Sequence, residues 1–102
     1  MADFQQLFQL SQQMQGRLQQ LQADLADRMV EATAGGGMVR VRADGRGVIR
    51  ELTIDPTVFD GRDAELLSDL VLSALAEVQR RAAETAQAEM KKVQTLPTLP
   101  GL

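Results

Sequence analysis

Along the first quarter of the chain, apolar residues recur at alternating spacings of three and four positions. This spacing aligns their side chains in one narrow stripe of an α-helix, as at the a and d positions of a heptad repeat. Glutamines fill most of the remaining positions, and Ser11 occupies one place within the stripe. The apolar members of the stripe are Phe4, Leu7, Met14, Leu18, Leu21 and Leu25. We predict a long helix over about 3–28 whose apolar seam packs within or between subunits, or binds another protein.

A period of two residues, typical of β-strands, replaces the helical period after this segment. Residues 29–33 form a short candidate strand, which three consecutive glycines follow, Gly35 to Gly37. These glycines lack the Lys and Ser/Thr of a phosphate-binding loop, so they predict a flexible connector. In 39–43, valine or alanine alternates with arginine, which gives this second strand one apolar and one cationic face.

A hairpin is predicted between the second strand and a third strand over 48–54. Turn residues with the sequence DGRG occupy 44–47, and Asp55-Pro56 ends the third strand because proline cannot donate a hydrogen bond to a sheet. Val48 and Ile49 are adjacent apolar residues in an otherwise alternating strand. We therefore expect a β-bulge near the start of this strand, or burial of both its faces.

A second long helix is predicted from about Ala64 to Val93, with Asp60 or Asp63 as its N-terminal cap. Extra leucines widen its apolar surface in the first half, whereas the second half carries mostly small or polar residues and should project from the body. The last residues, 96–102, contain two prolines and predict a flexible tail. The main stripe of the helix is Leu67, Val71, Ala74, Val78, Ala82 and Thr85.

These elements predict an α+β fold with a long N-terminal helix, a small three-stranded antiparallel sheet and a long C-terminal helix, in one domain over 1–95. Helices of about 25 to 30 residues are roughly 40 Å long, which exceeds the length of such a sheet. A second copy would cover the overhanging surface through an isologous interface. The predicted homodimer interface comprises Leu18, Leu21, Leu25, Leu67, Leu70, Val71, Ala74 and Val78.

The absence of two residue types narrows the chemistry that the chain can perform. The sequence contains no Cys and no His, so it has no thiol nucleophile and lacks the commonest general base and metal ligand. We expect no catalytic residues, no cofactor and no small-molecule substrate. No apolar run approaches the roughly 20 residues that span a bilayer, so we expect a soluble cytoplasmic protein without a membrane partner.

Charge is sorted along the chain, although the formal net charge is -3. Residues 36–50 carry four arginines and one aspartate, whereas 51–77 carry seven acidic residues and one arginine. Because salt screens charges over about 8 Å, a phosphate responds to the local patch more than to the net charge. The candidate DNA-binding residues are Arg40, Arg42, Arg46, Arg50, Arg80, Arg81, Lys91 and Lys92.

These cations also have structural interpretations that need no ligand. The hairpin arginines could form a solvated strand face, or pair with Asp44, with Glu51 or with acidic groups across a dimer. Lys91 and Lys92 would favour the C-terminus of a helix through its dipole. On the second helix, Arg80 lies three and four residues from acidic residues, and Lys92 lies three residues from Glu89. The sequence leaves both interpretations open.

Three stretches of the chain carry a family resemblance: LSQQMQGRLQQLQADLA in the first helix, GGGMVRVRADGRGVIRELTIDP in the strands and AELLSDLVLSALAEVQRRAAETAQAEM in the second helix. Together they resemble the YbaB/EbfC family of nucleoid-associated DNA-binding proteins. The resemblance implies an intertwined or tweezer-like homodimer that binds duplex DNA at the nucleoid with little sequence preference. The alternative function is an acidic homodimeric adaptor that holds another protein and does not bind DNA.

Overall fold

A computed structural model describes residues 3–94 of the 102-residue chain. The predicted α+β order is confirmed, with an additional short 3₁₀ helix between the sheet and the second long helix. The expected tail, 96–102, and residues 1, 2 and 95 of the expected domain lie outside the described residues. The elements are α1 (Phe4–Asp27), β1 (Met29–Ala34), β2 (Val39–Asp44), β3 (Ile49–Ile54), the 3₁₀ helix (Pro56–Gly61) and α2 (Ala64–Gln94).

Aspartate side chains begin all three helices. The carboxylate of Asp3 accepts a hydrogen bond from the backbone N–H of Gln5 at 3.1 Å. Of the two caps predicted for α2, Asp63 is the one used, since its Oδ1 accepts from the N–H of Leu66 at 3.0 Å. Asp55 caps the 3₁₀ helix in the same way. These bonds satisfy N–H groups that have no partner within the first turn of a helix.

The sheet is antiparallel in the order β1-β2-β3, so β2 is its central strand. Arg42 of β2 lies opposite Glu51, but the next residue, Ala43, lies opposite Ile49. Arg50 is therefore the extra residue of a β-bulge, which confirms one of the two predicted outcomes. The bulge keeps Ile49 on the same face as Leu52, although three positions separate them.

The core lies between α2 and one face of β1 and β2. Valine and alanine side chains of the two strands meet α2, and the contacts of α2 are mainly with these strands. β3 contributes little to this core, and Ile49 and Leu52 on its apolar face remain 38% and 46% exposed. The buried cluster consists of Ala32, Val39, Val41, Ala43, Ala74 and Val78.

Only the C-terminal end of α1 packs against the body. Leu21 and Leu25 are buried, the carbonyl oxygen of Leu25 accepts a hydrogen bond from the N–H of Gly45 at 2.8 Å, and Arg28 Nη2 lies 2.6 Å from Glu89 Oε1 of α2. Within the described part of the protomer, the rest of the predicted seam has no packing partner, and Phe4 is 83% exposed. The protomer is accordingly elongated, with a longest dimension of 72 Å.

Gly45 is required at the contact between α1 and the β2–β3 turn. A Cβ atom at this position would lie 2.9 Å from the carbonyl oxygen of Leu25 and 3.0 Å from its Cδ2 atom. We expect Gly45→Ala to lower the melting temperature by roughly 5 to 10 °C, because the added atom overpacks the contact. Circular dichroism melts at equal protein concentration measure this effect.

Gly16→Ala is the matched control, since nothing lies within 4 Å of a Cβ at Gly16. This change removes the helix penalty of glycine, about 1 kcal/mol, and should leave the melting temperature unchanged or raise it. If Gly45→Ala and the unchanged protein have the same melting temperature, the packing of α1 on the body does not depend on this contact.

Candidate nucleic-acid interface

The β2–β3 turn is a short loop of Gly45, Arg46 and Gly47. The N–H of Gly47 donates to the carbonyl oxygen of Asp44 at 3.0 Å, and the N–H of Asp44 donates to the carbonyl of Val48 at 3.0 Å. Gly47 has a φ of +87°, the left-handed conformation that three-residue hairpin loops place at this position. The turn type that the sequence left open is therefore a three-residue loop ending in a left-handed glycine.

Asp44 is a fully buried carboxylate that organises this turn. Its Oδ1 accepts from the backbone N–H groups of Arg46 and Val48 at 2.9 and 3.2 Å. Its Oδ2 accepts from the guanidinium groups of Arg46 and Arg50, with the closest contacts at 2.9 and 3.0 Å. Arg46 and Arg50 are thus held by an acid of their own hairpin, which is the alternative pairing considered from the sequence.

The pKa of Asp44 reflects two opposing effects. Burial favours the neutral acid and would raise the pKa of this carboxyl. The hydrogen bonds from the Arg46 side chain, from the backbone of Val48 and Arg46, and from the Arg50 side chain outweigh burial. They hold the pKa of Asp44 far below its ordinary value, so the carboxylate is ionised throughout the physiological range.

Arg40 and Arg42 lie on the open face of the sheet, opposite the face that α2 covers. Arg40 Nε is 3.4 Å from Glu31 Oε1, and Arg42 Nη1 is 3.6 Å from Glu51 Oε2. All four side chains are about half exposed. Ion pairs of this kind contribute about 0 to 1 kcal/mol, so a phosphate oxygen can replace either carboxylate at little cost.

Arg81 connects α2 to β1, the edge strand that carries Glu31. Its Nη1 donates to the backbone carbonyl oxygen of Glu31 at 2.6 Å, and its Nε donates to Glu77 at 3.0 Å. Arg80 donates to Glu77 at 2.6 Å and also pairs with Glu84. Hydrogen bonds from Arg80 and Arg81 lower the pKa of Glu77 to about 2. Arg40 and Arg81 therefore meet at Glu31.

Lys91 and Lys92 are farther along α2, about 15 Å beyond Arg81 at the rise of a helix. Lys92 Nζ lies 3.2 Å from Glu89 Oε1, the same oxygen that pairs with Arg28. The pairings considered for Arg80 and Lys92 from the sequence are thus present. The structure separates the eight candidates into the sheet-and-helix group (Arg40 and Arg42 on β2, Arg80 and Arg81 on α2), the hairpin pair (Arg46 and Arg50) and the distal pair (Lys91 and Lys92).

Two residues that shape this surface, Arg28 and Glu31, had no role assigned from the sequence, and the role of a third, Asp44, was predicted only in part. Arg28 ties the end of α1 to α2 through Glu89, and Glu31 links Arg40 to Arg81. Asp44 was considered as a partner of the hairpin arginines, but its complete burial was not expected. An aspartate followed by G-x-G is a signal for a side chain that accepts backbone N–H groups in a turn. No comparable local signal marks Arg28 or Glu31.

The described residues, 3–94, contain no cluster of three or more Asp, Glu, His or Cys side chains suited to a metal ion. Neither of the long helices in this part of the chain is apolar enough over its length to span a membrane.

The order α-β-β-β-α, with a long helix at each end and arginines on the open face of the sheet, defines a small α+β protein whose first helix extends beyond the body. A family model for the YbaB/EbfC DNA-binding family matches residues 1–96. The chain belongs to this family.

Relatives cover most of the chain. A nucleoid-associated protein of Acetivibrio thermocellus is 44% identical over 97 residues, which are 94% of this chain and 86% of the relative. A nucleoid-associated protein of Thermoanaerobacter pseudethanolicus is 44% identical over 92 residues, 90% of this chain and 83% of the relative. The crystal structure of an uncharacterized protein from Helicobacter pylori is 28% identical, with a TM-score of 0.82 over 92% of this chain and 99% of that one.

Asp44→Asn should destabilise the fold, because an amide cannot accept all the bonds that the carboxylate accepts. We expect a loss of roughly 10 °C in melting temperature at pH 7. The folded-state pKa of Asp44 lies below its unfolded value of 3.8, so its stabilising effect is complete above that value and is lost as the pH falls below it. The difference in melting temperature between Asp44→Asn and the unchanged protein should therefore become smaller as the pH falls.

Melting both proteins from pH 7 down to about pH 3 tests this prediction. The other carboxylates titrate in both proteins and cancel in the difference. The exposed Asp60→Asn is the control and should match the unchanged protein at every pH. A constant difference between Asp44→Asn and the unchanged protein across the range would contradict the role of the Asp44 charge.

Proposed function

We propose that this protein binds duplex DNA at the bacterial nucleoid as a homodimer with little sequence preference, through arginine and lysine contacts to backbone phosphates. In this role it coats, bends or compacts the chromosome and influences gene expression as a consequence. The observation that carries the proposal is the open sheet face, where Arg40 and Arg42 are held only by long, solvated ion pairs. Family membership and the names of the relatives support the same function.

The sheet-and-helix group offers several cations to one phosphate backbone. Arg40 and Arg42 pair with Glu31 and Glu51 on the open face of the sheet, and Arg81 reaches the backbone of β1 from α2. An arginine that exchanges a solvated carboxylate for a phosphate still has a charged acceptor. The exchange is favoured because the DNA releases counterions. The hairpin pair is less available, because displacing Arg46 or Arg50 would leave the buried Asp44 without its cations.

Duplex DNA is favoured over single strands by the residue types that the chain lacks. The sequence has no Trp, Tyr or His to stack on bases, and it has only three Phe residues. Recognition of specific bases has little support. Asn is absent, and no contact between the glutamines of α1 and a base edge can be assigned. Contacts to the phosphate backbone are the mode that fits this composition.

The homodimer is supported by an uncovered apolar surface at β3. Its residues Ile49, Leu52 and Ile54 share the face that carries the core, but α2 packs mainly on the other two strands. An apolar groove of about 420 Å³ runs beside them and is lined by Ile54, Leu67, Ser68, Val71, Leu72 and Leu75. A second copy placed here with two-fold symmetry would bury both surfaces at once.

Only some of the predicted interface residues are accessible to a partner. Leu21, Leu25, Ala74 and Val78 are buried within one protomer, so their surface is already used there. Leu67, Leu70 and Val71 are partly exposed and Leu18 is exposed. We propose that Leu67 and Val71, together with Leu52, Ile54, Leu72 and Leu75, form the dimer interface.

An adaptor that holds another protein is the second candidate function. The exposed apolar residues on α1 favour it, as do the ion pairs that already neutralise most of the arginines. Salt-dependent binding to duplex DNA separates the two candidates, because an acidic adaptor has no reason to bind a polyanion.

We expect the purified protein to bind a labelled duplex of arbitrary sequence, with an affinity that falls about a hundredfold or more between about 50 and 200 mM salt. This slope corresponds to about four to six neutralised phosphates. Fluorescence anisotropy measures both affinities, and a second duplex of unrelated sequence should give similar values. Absence of binding at the lower salt would exclude the DNA function and leave the adaptor.

Replacing Arg40 and Arg42 together by Ala should weaken duplex binding by about tenfold or more while leaving the dimer intact. Glu31→Gln combined with Glu51→Gln is the matched variant and should strengthen binding, because it removes the acids that compete with phosphate. Lys91 and Lys92 replaced together by Ala test the distal pair. Unchanged affinity of the arginine variant with a loss in the lysine variant would move the contact to the end of α2.

A further inference from the structure

The N-terminal half of α1 carries a second apolar surface, far from β3 in the sequence. In a heptad that begins at Phe4, the a and d positions are the predicted seam, and Phe8 and Leu10 flank it at e and g. The outward b, c and f positions from Gln5 to Gln20 are all Gln or Gly. None of the apolar side chains of α1 that precede Leu21 is covered. They are Phe4, Leu7, Phe8, Leu10, Met14 and Leu18, which are 46% to 83% exposed.

The charge of this segment points to a copy of itself as the partner. Between Asp3 and Asp24 the chain has one ionisable side chain, Arg17, and otherwise glutamines and apolar residues. An acidic or a basic partner would gain little from such a surface. Two copies of it can approach each other without the repulsion that the rest of an acidic chain, with a net charge of -3, would cause.

The spacing of the seam fits the same partner. Side chains at a and d of one helix fill the holes between the side chains of another helix with the same period, so a heptad seam is complementary to itself. The exposed part, 4–18, is about 21 Å long, and its only polar seam position is Ser11. The seam continues directly into Leu21 and Leu25, whose packing holds the end of the helix on the body.

We propose that residues 4–18 of α1 pair with the same segment of another copy, as a second self-interface separate from the β3 and α2 surface. Two separate self-interfaces on one chain link dimers into tetramers or longer assemblies. Such assemblies can hold two DNA segments together. The pairing itself needs no DNA, so it goes beyond the proposed function and stands or falls independently of it.

Sedimentation of the full chain without DNA, at about 5 and about 200 µM, tests the pairing. The unchanged protein should reach at least four times the 11.2 kDa chain mass at the higher concentration. Leu7→Glu combined with Met14→Glu places charges at two d positions and should stop assembly at two chains. The concentration needed for assembly should rise more than about tenfold.

Gln6→Glu combined with Gln13→Glu is the matched control, because it adds the same charge at two c positions, on the outward face. This variant should assemble like the unchanged protein. Leu52→Glu removes the other interface and should leave dimers joined by α1, and adding the two α1 substitutions to it should give monomers. Both α1 variants change exposed residues, so circular dichroism melts should show the body of the fold intact.

Two results would overturn the pairing. In the first, the unchanged protein never exceeds two chains and Leu52→Glu gives monomers. The seam would then bind DNA or another protein. The other is equal assembly of the seam variant and its c-position control. Dimers that persist in Leu52→Glu but not in the seam variant would support α1 pairing and contradict the interface proposed at β3. None of these masses depends on whether the protein binds DNA.

Discussion

One helix is too narrow to cover three strands, and much of this molecule follows from that constraint. An α-helix with its side chains is about 10 Å wide, whereas adjacent strands lie about 4.8 Å apart, so α2 covers β1 and β2 and leaves β3 uncovered. The bulge at Arg50 keeps the apolar residues of β3 on the covered side of the sheet all the same. The protomer thus ends in an apolar surface that its own helices do not use.

The polar face of the same sheet shows how an acidic protein can present cations. Arg46 and Arg50 are committed to the buried Asp44, and this arrangement stabilises the turn and the bulge beside it. Arg40 and Arg42 face solvent, where each carboxylate partner is itself hydrated and can be exchanged. Burial of the acceptor therefore distinguishes structural arginines from those available to a ligand, although all four stand within eleven residues of the sequence.

Local patterns in the sequence predicted most of the fold. The heptad of α1, the alternation of β2, the adjacent Val48 and Ile49 and the cap at Asp63 each depend on near neighbours, and the structure confirms the elements that they predicted. The connections between distant residues were not predictable in this way. Arg28 reaches Glu89 and Arg81 reaches the carbonyl of Glu31 only because α2 crosses the sheet at a particular place. The burial of Ala74 and Val78 within the protomer also depends on that crossing.

The apolar and the charged surfaces of this protein are separate, and this separation affects how it could bind along DNA. Its apolar surfaces, at β3 and on α1, carry few charges, so association through them is only weakly opposed by the net charge. Its candidate DNA-binding cations lie on the opposite side of the sheet, in the β2–β3 hairpin and along α2, outside both apolar surfaces. Under the proposed function, association would multiply the cations offered to DNA without burying them, so that individually weak phosphate contacts would gain strength from their number. In that proposal, affinity for DNA and assembly are separate properties that reinforce each other.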